Sequence, residues 1–284
     1  MYQIIKKRQL NPQVTLMEIL APFVAKKVMP GQFIMLRVNQ TGERIPLTVA
    51  DFDQDAGTVT IVFQQVGKTT KLLGSLNPGD SILDFAGPLG MPSHVDGFKN
   101  VCVVGGGLGC AIAYPQAKAL FNMGANVDIV AGFRSRDLIF FEDEMAAVSQ
   151  SLFICTDDGS NGNKGLVTDQ LKRLIESGKK YDLVIVIGPV IMMKFVSLLT
   201  KEYGIKTIVS MNSTMVDGTG MCGGCRLTVD GRTKFACVDG PDFDGHLVDF
   251  DLSMRRSQTY RAQEQEKDHA CKLGLDGNQE VRNG

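Results

Sequence analysis

Through its first hundred residues the chain alternates apolar with polar positions, and after that it groups its apolar residues into blocks. Val14 and Leu16, the run Phe33 to Val38, and Val59, Ile61 and Phe63 follow a period of two, bounded by Pro30-Gly31, Asp55-Ala56-Gly57 and Pro78-Gly79-Asp80. Short strands between turn signals, without a long helical period, predict a small antiparallel β-barrel over residues 1–98. One short helix is expected after Thr69-Thr70, through Leu72, Leu73 and Leu76. From Asn100 the pattern changes. Val101 to Val104 reads as a continuous apolar strand, Gly105-Gly106-Gly107-Leu108-Gly109 as a turn, and a helical stretch runs on to about Met123. Strand patterns recur at 126–131, 152–155, 182–187 and 206–210, with helical patterns at 142–149, 165–176 and 190–203. Such alternation predicts a doubly wound parallel α/β sheet over residues 99–210, with the boundary near Gly97 to Asn100.

Composition narrows the class. At roughly 150 residues per domain, 284 residues suggest about two domains. Thirty basic and thirty-one acidic side chains nearly cancel, which gives no electrostatic case for nucleic acid or an anionic membrane. The opening MYQIIKKRQL lacks the apolar run of a signal peptide, and no stretch approaches 18 apolar residues. Seven cysteines, an odd number, fit a reducing compartment, so a cytoplasmic location is expected. No internal repeat stands out, and the polar last dozen residues are expected to be disordered.

The densest chemistry lies between Met215 and Gly240. Cys222 and Cys225 form a C-x2-C pair, Cys237 follows after eleven residues, and Asp217 precedes Cys222 with four residues between. This D-x4-C-x2-C-x11-C spacing matches the plant-type ferredoxin pattern with Asp in the first position. Glycines at 218, 220, 223 and 224 let the backbone wrap closely around inorganic sulfides. Asp217, Cys222, Cys225 and Cys237 are therefore the expected ligands of a [2Fe-2S] cluster within a module spanning 211–250. A Cys3Asp zinc knuckle is the alternative, and a disulfide is a weaker one. The glycine turn at 105–109 offers N-H groups and a helix start to a pyrophosphate. The G-x-G-x-x-G form is incomplete, because Cys110 stands where the last glycine belongs and Arg134 follows the second strand in place of an acidic residue. A plain strand-to-helix turn would use the same glycines.

Barrel, nucleotide domain and cysteine loop in this order resemble the ferredoxin-NADP reductase superfamily, over residues 1 to about 255. Within it the chain is similar to cluster-carrying electron-transfer subunits: those of dihydroorotate dehydrogenase, and the small (alpha) subunit of NADH-dependent reduced ferredoxin:NADP+ oxidoreductase, or sulfide dehydrogenase. Asp217 points to the second group, since the dihydroorotate branch has Cys there. The resemblance implies FAD on the barrel. Arg44-Ile45-Pro46-Leu47-Thr48 is similar to the flavin motif, with Leu47 in the aromatic position and the Thr48 hydroxyl near flavin N5 in a catalytic role. Phe63 and Gln64 would flank the isoalloxazine and ribityl chain, and Gly67, Thr69 and Thr70 would meet the pyrophosphate, although Lys68-Thr69-Thr70 alone reads as a helix cap. For NAD(H) the resemblance implies Gly105, Gly106, Gly107, Leu108 and Gly109 at the pyrophosphate and Gly188 and Pro189 near the nicotinamide. Arg134, Asp157 and Gly159 would line the cleft. Phe85 to Gly90 resembles the loop closing the barrel against the second domain.

A nicotinamide delivers two electrons together and a cluster accepts one, so a chain with both sites needs a flavin between them. The implied activity is hydride exchange between NAD(H) and FAD followed by single-electron exchange with the cluster. The implied partner is a larger subunit with its own FAD and [4Fe-4S] clusters, in a heterodimer or higher assembly that couples ferredoxin and NADH oxidation to NADP+ reduction, the arrangement used in electron bifurcation. Two alternatives stay open: the electron-transfer subunit of a dihydroorotate dehydrogenase, and a zinc-stabilised nucleotide-binding regulatory protein. Residues 251–284 are expected to form a polar helix from about Asp251 to Asp268 and a tail. Cys102 and Cys155 read as buried small hydrophobes and His246 as structural.

Overall fold

A computed structural model describes residues 1–259. The first part is built from strands β1 (Tyr2–Asn11) and β2 (Val14–Leu20), helix α1 (Pro22–Ala25), strands β3 (Phe33–Arg37), β4 (Ile45–Asp53) and β5 (Thr58–Gln64), helix α2 (Lys68–Ser75), and strands β6 (Ser81–Ile82) and β7 (Asp84–Leu89). All pair antiparallel in the order β6-β1-β2-β5-β4-β3-β7. Leu83 alone separates the two outermost strands in the chain, and its N-H binds the Val38 carbonyl at 3.1 Å, so the sheet nearly closes into a barrel. Alternation explains the core: Ile4, Met17, Ile34, Ile61 and Phe63 fill it, each fully buried. The segment Phe85 to Leu89, expected as a loop, is paired along β3, and its hydrogen bonds to that strand make it the last stave.

The second part runs β8 (Asn100–Gly106), α3 (Gly109–Asn122), β9 (Asn126–Phe133), a 3-10 turn (Arg136–Leu138), α4 (Glu142–Ala147), β10 (Ser151–Thr156), α5 (Val167–Glu176), β11 (Leu183–Ile187), α6 (Val190–Glu202) and β12 (Lys206–Ser210). The strands pair parallel in the order β10-β9-β8-β11-β12. Their alternate residues feed two cores. Val101, Val103, Ile129 and Ile185 pack under α3 and α4, while Cys102, Val104, Val130, Val184 and Val186 pack under α5 and α6. A sheet buried on both faces needs the continuous apolar runs seen in the sequence.

The chain ends with β13 (Arg226–Val229) and β14 (Arg232–Phe235) as a hairpin, β15 (Asp242–Asp244) antiparallel on β12, and α7 (Phe250–Ser257). The helix expected from Asp251 to Asp268 is seen as α7, which ends at Ser257 with Gln258 as its C-cap, and the expectation beyond residue 259 falls outside the described residues. Among the described residues no helix is long and apolar enough to cross a membrane.

Two seams hold the parts together. On one side Arg8 pairs with Glu144 at 2.6 Å and Lys118 with Asp51 at 2.8 Å, linking barrel strands to α4 and α3. On the other, Ser93 after β7, Gln116 on α3 and Asp242 on β15 meet in a buried polar junction. The Ser93 hydroxyl donates to Asp242 Oδ2 at 2.5 Å, and Gln116 Nε2 donates to Ser93 Oγ at 2.7 Å.

Candidate cluster and nucleotide sites

The loop from Met215 to Cys225 lies on the outside of β3. Phe33 and Met35 project from that strand into the same apolar core as Met215, Cys225 and Cys237. A side chain at Gly218 would come within 2.8 Å of Met35 Cγ and 3.1 Å of Leu89, and Gly218 has φ +77°, so only glycine lets the loop lie flat there. The N-H of Met91 binds the Gly240 carbonyl at 2.6 Å, fixing the far end of the module to the end of the barrel.

The four expected ligands come together as two pairs. Cys222 Sγ is 3.4 Å from Asp217 Oδ1, and Cys225 Sγ is 3.2 Å from Cys237 Sγ. Among the described residues no three His, Cys, Asp or Glu side chains form a group able to hold one metal ion. Two donor pairs side by side are what a [2Fe-2S] cluster would use, one pair for each iron. Backbone N-H groups already point at the donors: Gly224 N to Cys222 Sγ and Cys237 N to Cys225 Sγ, each at 3.4 Å. Asp217 accepts from the N-H groups of Thr219, Met221 and Cys222, and the bonds from Thr219, foremost, and Cys222 hold its carboxyl below the usual carboxylate range. Burial, with the Cys225 thiol beside it, pushes Cys237 up to about 12, so metal binding there releases a proton. Cys225 and Cys237 are buried and Cys222 is exposed. Three sulfurs and a carboxylate with inward N-H groups suit an iron-sulfur cluster.

On the barrel, the pairing register sorts the expected flavin residues by face. Thr48 lies opposite Phe33 and Pro46 opposite Met35, so both share the outer face on which the cluster loop rests. Leu47 lies opposite Ile34 and packs with the barrel core instead. Phe63 is likewise wholly inside the barrel, leaving its backbone rather than its ring to any ligand. Arg44 is exposed just before β4, and Gln64 donates to Gln13 Oε1 at 2.6 Å. Gly67 caps α2, Thr69 is buried, and Thr70 Oγ1 accepts from the N-H groups of Val66 and Gly67, at 3.1 and 3.0 Å. Thr70 thus serves as a cap of the helix start.

The glycine turn sits at the switch point of the parallel sheet, between the carboxyl ends of β8 and β11. Its glycines have different reasons. A Cβ at Gly109 would stand 2.2 Å from the Ile187 carbonyl oxygen, and one at Gly106 2.5 Å from Met192 Sδ. Gly107, at φ +54°, has nothing within 4 Å of such a Cβ and faces open space at the start of α3. Gly105 and Leu108 complete the turn, and Cys110 is buried where it fills the contact between α3 and β8. Gly188 and Pro189 lead into α6 beside Gly106. Arg134 is exposed at the end of β9, its carbonyl bound by the Asp158 N-H at 3.3 Å. Asp157 and Gly159 lie on the same turn. His246 meets Thr200 Oγ1 at 3.1 Å, a structural contact away from the site.

Two arginines that the sequence pattern did not single out touch the cluster loop. Arg226 Nη1 donates to the Gly223 carbonyl at 3.2 Å, and Arg256 Nη2 to the Gly224 carbonyl at 3.5 Å. The sequence signal for the first was only its place next to Cys225. For the second there was none, because α7 returns to the loop only in the folded chain.

Comparison with known proteins agrees with this geometry. Residues 2–94 match the oxidoreductase FAD-binding domain, and residues 212–249 match the iron-sulfur cluster binding domain of dihydroorotate dehydrogenase B. A Thermotoga maritima protein described as a homolog of the dihydroorotate dehydrogenase B (NAD(+)) electron transfer subunit is 48% identical over 92% of this chain and 92% of its own. The electron transfer subunit of that enzyme from Geobacillus thermodenitrificans is 33% identical over 84% of this chain and 94% of its own. A solved chain from an NADH-dependent reduced ferredoxin-NADP oxidoreductase, studied for flavin-based electron bifurcation, superposes with a TM-score of 0.90 at 46% identity, covering 95% of this chain and 97% of the other.

Proposed function

Because this chain belongs to the family of dihydroorotate dehydrogenase B electron-transfer subunits and their homologues, we propose that it is the electron-transfer flavo-iron-sulfur subunit of a ferredoxin:NADP+ oxidoreductase. Bound FAD would take a hydride from NAD(H) as an electron pair and pass electrons singly to a [2Fe-2S] cluster. The chain's own residues arrange this. Pro46 and Thr48 present the outer face of β4 to the flavin ring, with the Thr48 hydroxyl orienting its reacting edge. Gly107 and the start of α3 receive the dinucleotide pyrophosphate, with Arg134, Asp157 and Gly159 along the cleft and Gly188 and Pro189 at its nicotinamide end. Asp217 and Cys222 would hold one iron, Cys225 and Cys237 the other.

The observation carrying this reading is the shared face of β3 and β4: Thr48 and Pro46 line up with Phe33 and Met35, and Met35 touches the cluster loop. Asp217 in the first ligand position and the match to the ferredoxin-NADP oxidoreductase chain favour that enzyme over dihydroorotate dehydrogenase. A larger subunit with its own FAD and [4Fe-4S] clusters takes the electrons, and ferredoxin reaches the chain through it. An exit is available beside the exposed Cys222, where Met221 is 88% and Val216 58% exposed, apolar side chains suited to a partner's surface.

The test is purification with the co-expressed neighbouring subunit, followed by counts of flavin, iron and sulfide and by NADH titration. Bound FAD, two irons and two sulfides in this chain, bleached by NADH, are expected. A colourless protein with one zinc would overturn the reading, and reduction of NAD+ by dihydroorotate would move it to the other branch.

A further inference from the structure

We propose that Arg226 and Arg256 raise the reduction potential of the cluster held by Asp217, Cys222, Cys225 and Cys237, an inference that rests on the cluster reading above. The two guanidiniums converge from different elements on the two-residue bridge between Cys222 and Cys225. Arg226, at the head of β13, reaches the Gly223 carbonyl at 3.2 Å, and Arg256, in the last turn of α7, reaches the Gly224 carbonyl at 3.5 Å. Their elements are tied together. The Asp249 N-H binds the Thr228 carbonyl of β13 at 2.9 Å, and the Asp249 side chain caps α7 by accepting from Leu252 N.

The bridge does not depend on these side chains for its shape. It is already closed by the Arg226 N-H on the Gly223 carbonyl at 3.3 Å and by the Gly224 N-H on Cys222 Sγ. Among the described residues neither guanidinium pairs with a carboxylate. What they add is charge. Three thiolates and a carboxylate make the site strongly anionic, and reduction adds one more negative charge. Fixed cations stabilise the reduced form more than the oxidised form. Arginine suits this task because it stays charged at every relevant pH and its fork can rest on a carbonyl while facing the anion.

The experiment is an EPR-monitored redox titration of the full chain and of Arg226→Gln, Arg256→Gln and the corresponding Lys variants, with iron and sulfide counted in each. Each Gln variant is expected to lower the ratio of reduced to oxidised cluster at a fixed ambient potential by about threefold, a fall of about 30 mV given 59 mV per tenfold for one electron. The Lys variants should keep most of the parent's midpoint, and the difference between Gln and parent should shrink in about 1 M salt, where charges are screened within a few ångströms. Gln variants with full iron and an unchanged midpoint overturn the inference. So does an equal fall in the Lys variants, or loss of iron from Gln and Lys variants alike, since either makes the arginines props of the loop. A parent chain without iron and sulfide is a different failure: it removes the cluster reading itself.

Discussion

Asp217 occupies the position where a plant-type site has its first thiolate, and the hydrogen bonds that keep it ionised also aim it at Cys222. A carboxylate oxygen donates less electron density to iron than a thiolate does. Asp217→Cys is therefore expected to keep the cluster and lower its potential, read by EPR titration, while Asp217→Ala impairs assembly. Cys225→Ala, which removes one of the two buried sulfurs, should leave purified protein depleted in iron and sulfide. At the flavin face, Thr48→Val preserves volume but loses the hydroxyl. FAD should still bind, and stopped-flow reduction by NADH should slow by about tenfold, the loss of one hydrogen bond at the reacting edge. The cluster residues stand out in sequence because Asp217, Cys222, Cys225 and Cys237 keep a fixed spacing, whereas Thr48 is pointed to by the family resemblance alone. Leu47 and Phe63 show the limit of that reading. Motif position put them at the flavin, but strand alternation turns both side chains into the barrel.

Among elements, the turn between β8 and α3 separates glycines needed for packing from one needed for access. Gly109→Ala drives a methyl group into the backbone of β11, and the strained contact should cost several kcal/mol, seen as a marked fall in the denaturant midpoint. Gly107→Ala meets no neighbour. Its positive φ costs about 1 kcal/mol, so the protein should fold while the Kd for NADH, measured by titration, rises. The alternation of strands and helices was legible because both faces of the sheet are buried, which forces continuous apolar runs at β8 and β11 and apolar stretches in the strands beside them. The outermost staves were not: β6 has two residues, and β7 contains Gly87-Pro88, a pair that reads as a turn and falls at the register shift between the paired residues Ala86 and Leu89.

Over the whole molecule, Ser93, Gln116 and Asp242 join barrel, nucleotide domain and cluster module at one buried point. Burial pushes the Asp242 carboxyl above the usual carboxylate range, against hydrogen bonds from Ser93 and Ser210. The folded chain thus keeps a proton there over a range of pH in which the unfolded chain has released it. Its contribution favours folding in acid and is lost as pH rises from the ordinary carboxylate value through the raised one. Asp242→Asn removes that dependence, so the variant's Tm should gain on the parent's as pH rises from the ordinary carboxylate range upward in thermal scans. No sequence pattern announces this junction, because its three members lie far apart in the chain and meet only when all three parts are folded. The contact of Gly218 with Met35 has another consequence. Electron tunnelling weakens exponentially with the gap and is poorest across voids, and here a methionine side chain leaves no void between loop and strand. Trimming Met35 is expected to open a void between loop and strand and to slow electron exchange between flavin and cluster, read as the rate at which the cluster bleaches after rapid mixing with NADH.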